Sequence, residues 1–120
     1  MLSKSPDPLT AKSFQFAVRI VNLYKHLASE HKEFVLSKQI LKSGTSVGAN
    51  ISEAKQGQSN ADFVHKLSIA LKEAAETNYW LELLYQTSFV TKAQYRSLAS
   101  DCGELKAMLV ASIKTTKRLL

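Results

Sequence analysis

The sequence is poor in residues that interrupt helices or cross-link chains. Its 120 residues include 4 glycines, 2 prolines and 1 cysteine. Both prolines, Pro6 and Pro8, lie close to the first residue, so no later proline breaks a helix. Because Cys102 stands alone, a disulfide within the chain and a cysteine-based zinc site are both excluded. Cys102 falls on an apolar helical stripe, where we expect a small buried side chain rather than a reactive thiol.

Long apolar runs are missing as well. No stretch approaches the roughly 20 apolar residues that span a bilayer, and residues 1–12 lack the apolar centre of a signal peptide. We therefore predict a cytoplasmic protein without a membrane partner. Hydrophobic residues make up 45% of the chain and charged residues 22%, which is typical of a globular protein of one domain.

Apolar residues recur every three or four positions in four segments, which predicts four amphipathic helices. Thr10 is the expected N-cap of the first helix, and Thr91 with Gln94 forms a capping box for the fourth. Short connections force neighbouring helices to run antiparallel. The sequence therefore predicts an all-α protein, an antiparallel up-down-up-down four-helix bundle. Its predicted parts are a flexible N-terminal arm at residues 1–9, a single domain at residues 10–120, and helices at residues 10–29, 33–56, 60–87 and 92–117.

The glycines of the second predicted helix lie in a stretch, residues 43–50, whose composition is also typical of a loop. The apolar period of that helix continues through the stretch without a change of phase. Gly44 and Gly48 lie one turn apart, where small residues let two helices approach closely. We predict a continuous helix, although each glycine costs about 1 kcal/mol relative to alanine. The predicted core stripe of this helix is Ile40, Gly44, Val47, Ile51 and Ala54.

The first predicted helix has a broad apolar stripe. The stripe consists of Phe14, Ala17, Val18, Val21, Tyr24 and Ala28, and it is widened by Phe16, Ile20, Leu23 and Leu27. The third helix also has more apolar residues than its heptad needs, at Ile69, Trp80, Leu83 and Leu84. One interpretation is an unusually broad core stripe. The interpretation we favour is an oligomer interface, because an exposed patch of this kind is a liability on a monomer.

No set of residues in the sequence has the spacing of a catalytic or metal site. The three histidines have no nucleophile or metal-ligand partner, and Glu73 and Glu76 lack the Glu-x-x-His pairs of di-iron bundles. We therefore predict that the protein is not an enzyme and needs no cofactor. Polar residues in apolar surroundings are instead expected to form a structural network that fixes helix register. They are Ser46, Asn50, Glu53, Glu73, Glu76 and Asn78.

Basic residues point to an anionic partner. The net charge is +6, and Lys38 and Lys42 are the only charged residues between Phe34 and Ser52. Aromatic residues that would stack on bases are not interleaved with these lysines, so contacts to RNA or DNA are expected at the backbone. The candidate nucleic-acid-binding residues are Lys12, Arg19, Lys38, Lys42, Lys114, Lys117 and Arg118.

The run at residues 37–54, SKQILKSGTSVGANISEA, resembles the signature of bacterial four-helix-bundle proteins named for relatives encoded in intervening sequences of large-subunit ribosomal RNA genes. Residues 62–84 resemble the third helix of the same family. The resemblance implies a homopentamer without catalytic activity. A related branch contains the accessory protein of diversity-generating retroelements, which implies a reverse transcriptase as a partner and Lys38 and Lys42 as contact residues.

The sequence thus predicts a non-catalytic oligomeric bundle that binds nucleic acid, or an enzyme that processes nucleic acid, through a basic surface. The alternative is a structural or protein-interaction ring with no affinity for nucleic acid.

Overall fold

The computed structural model describes residues 7–120 and confirms the predicted all-α four-helix bundle. The helices are α1 (Pro8–Glu30), α2 (Leu36–Ala54), α3 (Asn60–Gln86) and α4 (Lys92–Lys117). They alternate in direction, and each contacts two neighbours in the order α1, α2, α3, α4 and back to α1, with the sparsest contacts between α1 and α4. The bundle measures 46 × 28 × 22 Å. Within residues 7–120, no helix is both long and apolar enough to cross a membrane.

Helix α1 begins two residues before the predicted start. Asp7, and not Thr10, is the N-cap, because its Oδ1 accepts the backbone N–H of Thr10 at 2.9 Å. Pro8 occupies the first helical position, where its fixed φ favours a helix and its missing N–H costs nothing. The predicted arm therefore does not extend to residue 9, and residues 1–6 of it lie outside the described residues.

Helix α2 begins at Leu36 rather than at Glu33. The side chain of Glu33 accepts the backbone N–H groups of Val35, Leu36 and Ser37 at 3.1, 3.0 and 2.7 Å. Burial opposes ionisation of Glu33, but these hydrogen bonds outweigh it and lower the pKa of the carboxyl. Glu33 thus satisfies the free N–H groups of the helix from outside it.

The stretch from Gly44 to Gly48 is helical without a break, as predicted. Gly44 is buried against Ile20 of α1, and Gly48 faces Ser13 of the same helix. The two glycines therefore bring the α1 and α2 backbones close together.

The core confirms the predicted stripe of α2, all of whose residues are buried. The prediction for α1 was wrong for Phe14 and Val18, which are 70% and 46% exposed. The residues that were predicted to widen the stripe face the core instead, and among them Ile20 packs against Gly44. The buried residues of α1 are Leu9, Ser13, Phe16, Ile20, Leu23 and Leu27.

The start and middle of α4 match the sequence analysis. Thr91 Oγ1 accepts the Gln94 N–H at 3.1 Å, and Gln94 Oε1 accepts the Thr91 N–H at 2.8 Å, which completes the predicted capping box. Cys102 is fully buried and its Sγ donates to the carbonyl of Ala74 at 3.1 Å. Burial raises the pKa of the Cys102 thiol to about 11, as expected for a structural rather than a reactive cysteine.

Candidate nucleic-acid interface

The structure separates the seven candidate basic residues into three groups. Lys12 and Arg19 lie on the side of α1 that faces α4, where both approach Asp101. Lys12 Nζ is 2.7 Å from Glu104 Oε1 and 3.5 Å from Asp101 Oδ1, and Arg19 Nη1 is 2.7 Å from Asp101 Oδ2. These acids neutralise Lys12 and Arg19. The resulting ion pairs join α1 to α4, the neighbouring helices with the fewest contacts. Both candidates are therefore less available to an anionic partner than the sequence indicated, because the sequence did not show that α4 places its acids opposite them.

Lys38 and Lys42 lie on the exposed face of α2 and take part in no ion pair found among residues 7–120. Lys42 is close enough to Glu73 of α3 to act on its ionisation. Burial and the neighbouring charge of Glu76 raise the pKa of Glu73, while the charge of Lys42 partly opposes them.

Lys114, Lys117 and Arg118 lie at the end of α4, remote from Lys38 and Lys42. All three are exposed and outside the ion pairs of residues 7–120. Helix α4 has 26 residues, so its two ends are about 39 Å apart at 1.5 Å per residue. The predicted candidates therefore do not form one continuous surface. Lys114 and Lys117 also complement the negative end of the α4 dipole.

One end of the bundle carries most of the net positive charge. We call residues 25–42 and 79–96, which contain the α1–α2 and α3–α4 connections, the two-loop end. It holds six Lys and Arg residues against three Glu, whereas the rest of residues 7–120 holds nine against seven. The ion pairs found in this described part of the chain all lie outside the two-loop end, at Lys12, Arg19, Lys55 and Lys66. Its six basic residues are Lys25, Lys32, Lys38, Lys42, Lys92 and Arg96.

Aromatic rings that sequence analysis did not connect meet at the two-loop end. The ring of His31 packs edge to face against His26 at 5.3 Å and against Phe89 at 5.6 Å between ring centroids. Tyr85 of α3 stacks on Tyr95 of α4 at 4.9 Å. The sequence places His31 in the α1–α2 connection and Phe89 in the α3–α4 connection. An antiparallel bundle brings these two connections to the same end, so this contact could have been predicted from the topology.

The six polar residues predicted to form one network do not do so. Ser46 and Asn50 bond to backbone carbonyls of α2 itself, Glu53 pairs with Lys66, and Glu76 accepts the indole N–H of Trp80. The buried polar contact between helices is instead Thr77 Oγ1 to Ser43 Oγ, at 2.9 Å. The prediction failed because Ser46, Glu53 and Glu76 lie toward the outside of the α2–α3 pair.

The predicted oligomer interface on α3 is only partly at the surface. Leu84 is fully buried in the core, so the prediction that it contacts another subunit was wrong. Ile69, Trp80 and Leu83 are half-buried, and Trp80 packs against the core. The broad stripe of α3 thus serves mainly the bundle itself, while the exposed apolar side chains of α1 are Phe14 and Val18.

A cavity of about 500 Å³ lies beside the start of α1, outside the two-loop end. Its walls are largely apolar and include Leu9, Ile51, Phe63, Leu67 and Met108. Lys55 and Asp7, which form an ion pair, also line it.

A sequence profile of the family described as 23S rRNA-intervening sequence protein matches residues 9–111. A crystal structure from Bacteroides thetaiotaomicron, described as a protein with unknown function from the S23 ribosomal protein family, shares 61% identity and superimposes with a TM-score of 0.88. The match covers 88% of this chain and 98% of that chain. No curated protein matches the sequence.

Proposed function

This chain belongs to the 23S rRNA-intervening sequence protein family, and from that premise we propose that it is a non-catalytic, self-assembling protein that binds nucleic acid through its two-loop end. Binding to an enzyme that processes nucleic acid, such as a reverse transcriptase, would use the same basic surface. The family link is also the basis for proposing a cytoplasmic location.

The observation that carries this proposal is the absence of ion pairs among the basic residues at the two-loop end, within the described residues. Lys38 and Lys42 project from α2 at this end, and Lys92 and Arg96 project from the first turns of α4. Unpaired lysines and arginines attract phosphates and release counterions when they bind, whereas Lys12 and Arg19 would first have to leave Asp101. The two-loop end also has an excess of positive charge, with six Lys and Arg against three Glu, and these two features together make it the phosphate-binding surface that we propose.

The proposal of self-assembly is supported by the outer face of α1. Phe14 and Val18 lie one turn apart and are 70% and 46% exposed. Exposed apolar side chains of this size on one helix face favour burial against another subunit. The homopentamer is proposed from the family resemblance, since one chain does not fix the number of subunits.

A charge-reversal experiment tests the nucleic-acid proposal. We expect wild-type protein to bind labelled single-stranded RNA with an affinity that falls as salt is added. The variant Lys38→Glu with Lys42→Glu should bind more weakly while staying folded, with only a small loss of thermal stability from the new carboxylate at position 42 near Glu73. The matched control is Lys114→Glu with Lys117→Glu, which makes the same change of charge at the other end of the bundle.

Two outcomes would contradict the proposal. Equal loss of affinity in both double variants would mean that total charge, and not the two-loop end, controls binding. No binding of RNA or DNA by wild-type protein at low salt would favour the second candidate function, a structural or protein-interaction ring, which the apolar face at Phe14 and Val18 also supports.

A further inference from the structure

We propose that the two-loop end contains a stacking site for an unpaired base of a single-stranded nucleic acid. His31 and Phe89 provide the ring surfaces, and Lys92 lies where the adjoining phosphate would bind. The inference rests on the proposed nucleic-acid function and adds to it a contact with the base itself.

A surface cavity of about 540 Å³ gives the site its shape. It is lined by the His26, His31, Tyr85 and Phe89 rings and by Lys92, and its volume is within the range of ligand-binding pockets. His31 is exposed and Phe89 is half-buried, so both rings retain surface for a ligand. Aromatic and imidazole rings are the side chains on which unpaired bases stack.

The charges around the cavity favour a phosphate. Lys92 is the first residue of α4, and the first turn of α4 contains no acidic residue. The positive end of the α4 dipole therefore acts together with the Lys92 ammonium group. None of the ion pairs among residues 7–120 involves Lys92 or its neighbour along the helix, Arg96.

The backbone holds both rings in place. Phe89 N–H donates to the Leu84 carbonyl at 2.9 Å and Ser88 N–H donates to the Tyr85 carbonyl at 3.0 Å, which is the hydrogen-bond pattern of a Schellman motif. Lys32 and Ser88, the residues next to His31 and Phe89, have positive φ angles of 53° and 69°. Such backbone is common where a helix ends, and it sets the direction in which each connection leaves its helix. A ring that is already fixed loses little conformational entropy when a base stacks on it.

The test compares two labelled oligomers of about 12 nucleotides, a length typical of single-strand sites: oligouridine, and an abasic chain with the same sugar-phosphate backbone. Fluorescence anisotropy measures the affinity of each. We expect wild-type protein to bind oligouridine about tenfold more tightly than the abasic chain, because stacking contributes only where a base is present. Binding to phosphates alone would make the two affinities equal.

Two variants locate the stacking surface. His31→Leu and Phe89→Leu should each reduce the affinity for oligouridine severalfold, and neither should change the affinity for the abasic chain. His31 is exposed, so its variant tests the site even if Phe89→Leu fails to fold. His65→Leu is the matched control, since His65 is exposed on α3, lies outside the two-loop end and is not among the residues that line the cavity.

The stacking site is overturned if wild-type protein binds both oligomers equally, or if both variants keep the wild-type affinity for oligouridine. Either result would leave the proposed function standing, provided that Lys38→Glu with Lys42→Glu still weakens binding. If neither oligomer binds to wild-type protein, the stacking site and the proposed function both fail.

Discussion

Gly44 of α2 lies against Ile20 of α1 so closely that a methyl group at position 44 would come within 2.8 Å of both Cγ1 and Cγ2 of Ile20. Ile20 is fully buried and its β-branched side chain has little rotational freedom. The α1–α2 contact therefore depends on a glycine at position 44. Gly103 of α4 differs, because a methyl group there would meet no atom within 4 Å.

The first prediction compares Gly44→Ala with Gly103→Ala. Alanine favours a helix by about 1 kcal/mol over glycine, so Gly103→Ala should raise the free energy of unfolding by up to that amount. Gly44→Ala should lower it by about 1 to 3 kcal/mol, because overpacking against Ile20 exceeds the gain in helix propensity. Urea unfolding followed by circular dichroism measures both. An alanine at position 44 that stabilises the protein would show that α1 and α2 separate easily.

The second prediction concerns the buried hydrogen bond between Ser43 and Thr77. Thr77 Oγ1 also lies 2.7 Å from the carbonyl of Glu73, and both hydroxyl groups are fully buried. Ser43→Ala or Thr77→Val alone should cost about 1 to 2 kcal/mol, because each leaves a buried polar group with fewer partners. The double variant should cost less than the sum of the two. Additive costs in a double-mutant cycle would mean that the two hydroxyl groups do not interact.

Periodicity was sufficient to predict the fold, because four amphipathic segments with short connections allow few arrangements. It was not sufficient to tell which apolar residues of α1 face the core. Ile20 packs against Gly44, whereas Phe14 and Val18 lie outside. Helices α1 and α2 begin at Pro8 and Leu36 and not at the predicted residues. Asp7 and Glu33 cap these helices, and the apolar period does not identify capping residues.

The candidate site was harder to predict than the fold. Residues on one helix, such as Lys38 and Lys42, were identified because their spacing places them on one face. Pairs that form between residues of different helices were not identified, because the sequence does not show which residues meet. The ion pair of Arg19 with Asp101 is such a case, and it makes Arg19 less available for binding. The contact between His31 and Phe89 joins two connections that are distant in the sequence, so no local pattern contains it.

The third prediction is a dependence of stability on pH through Asp7. The hydrogen bond from Lys55 and the backbone N–H of Thr10 lower the pKa of Asp7 from 3.8 to about 2. Because the folded chain favours the ionised carboxylate, this contribution is complete above pH 3.8 and is lost as the pH falls through that value to about 2. Asp7→Ala should cost about 1 kcal/mol at neutral pH, the typical value of an N-cap.

Asp7→Asn separates the cap from the charge. Asparagine caps a helix as well as aspartate does, but it does not titrate. The wild-type protein should therefore be more stable than Asp7→Asn at neutral pH, and this advantage should be mostly lost at about pH 2, where Asp7 is about half protonated in the folded protein and almost fully protonated in the unfolded chain. Thermal unfolding across this pH range measures the difference. If the difference in stability stays constant with pH, the ion pair between Asp7 and Lys55 does not stabilise the folded protein.

The fourth prediction concerns the strained backbone at Ser88. Its φ angle is 69°, which a residue with a Cβ adopts at a cost of about 1 to 2 kcal/mol and glycine adopts freely. Ser88→Gly should therefore raise the free energy of unfolding by roughly 1 kcal/mol, and Ser88→Ala should leave it nearly unchanged. Chemical denaturation measures both variants. Destabilisation by glycine would indicate that the Ser88 side chain makes a contact that offsets the strain.

The fifth prediction distinguishes basic residues that stabilise the fold from basic residues that bind nucleic acid. It compares two substitutions, each of which removes one positive charge. Arg19 Nη1 lies 2.7 Å from Asp101 Oδ2, and Nη2 donates to Ser97 Oγ at 2.9 Å, so Arg19→Gln should lower the free energy of unfolding by about 1 kcal/mol. Lys38 is exposed and outside the ion pairs of the described residues, so Lys38→Gln should leave stability unchanged.

The effects of the same two variants on nucleic-acid binding should be reversed. Lys38→Gln should reduce the slope of log affinity against log salt by about 0.7 for a single strand, because one phosphate contact is lost. Arg19→Gln should leave that slope unchanged, since Asp101 already neutralises the guanidinium group. If Arg19→Gln lowered the slope as much as Lys38→Gln, the α1–α4 ion pairs would have to open on binding, and the contact surface would include the middle of the bundle.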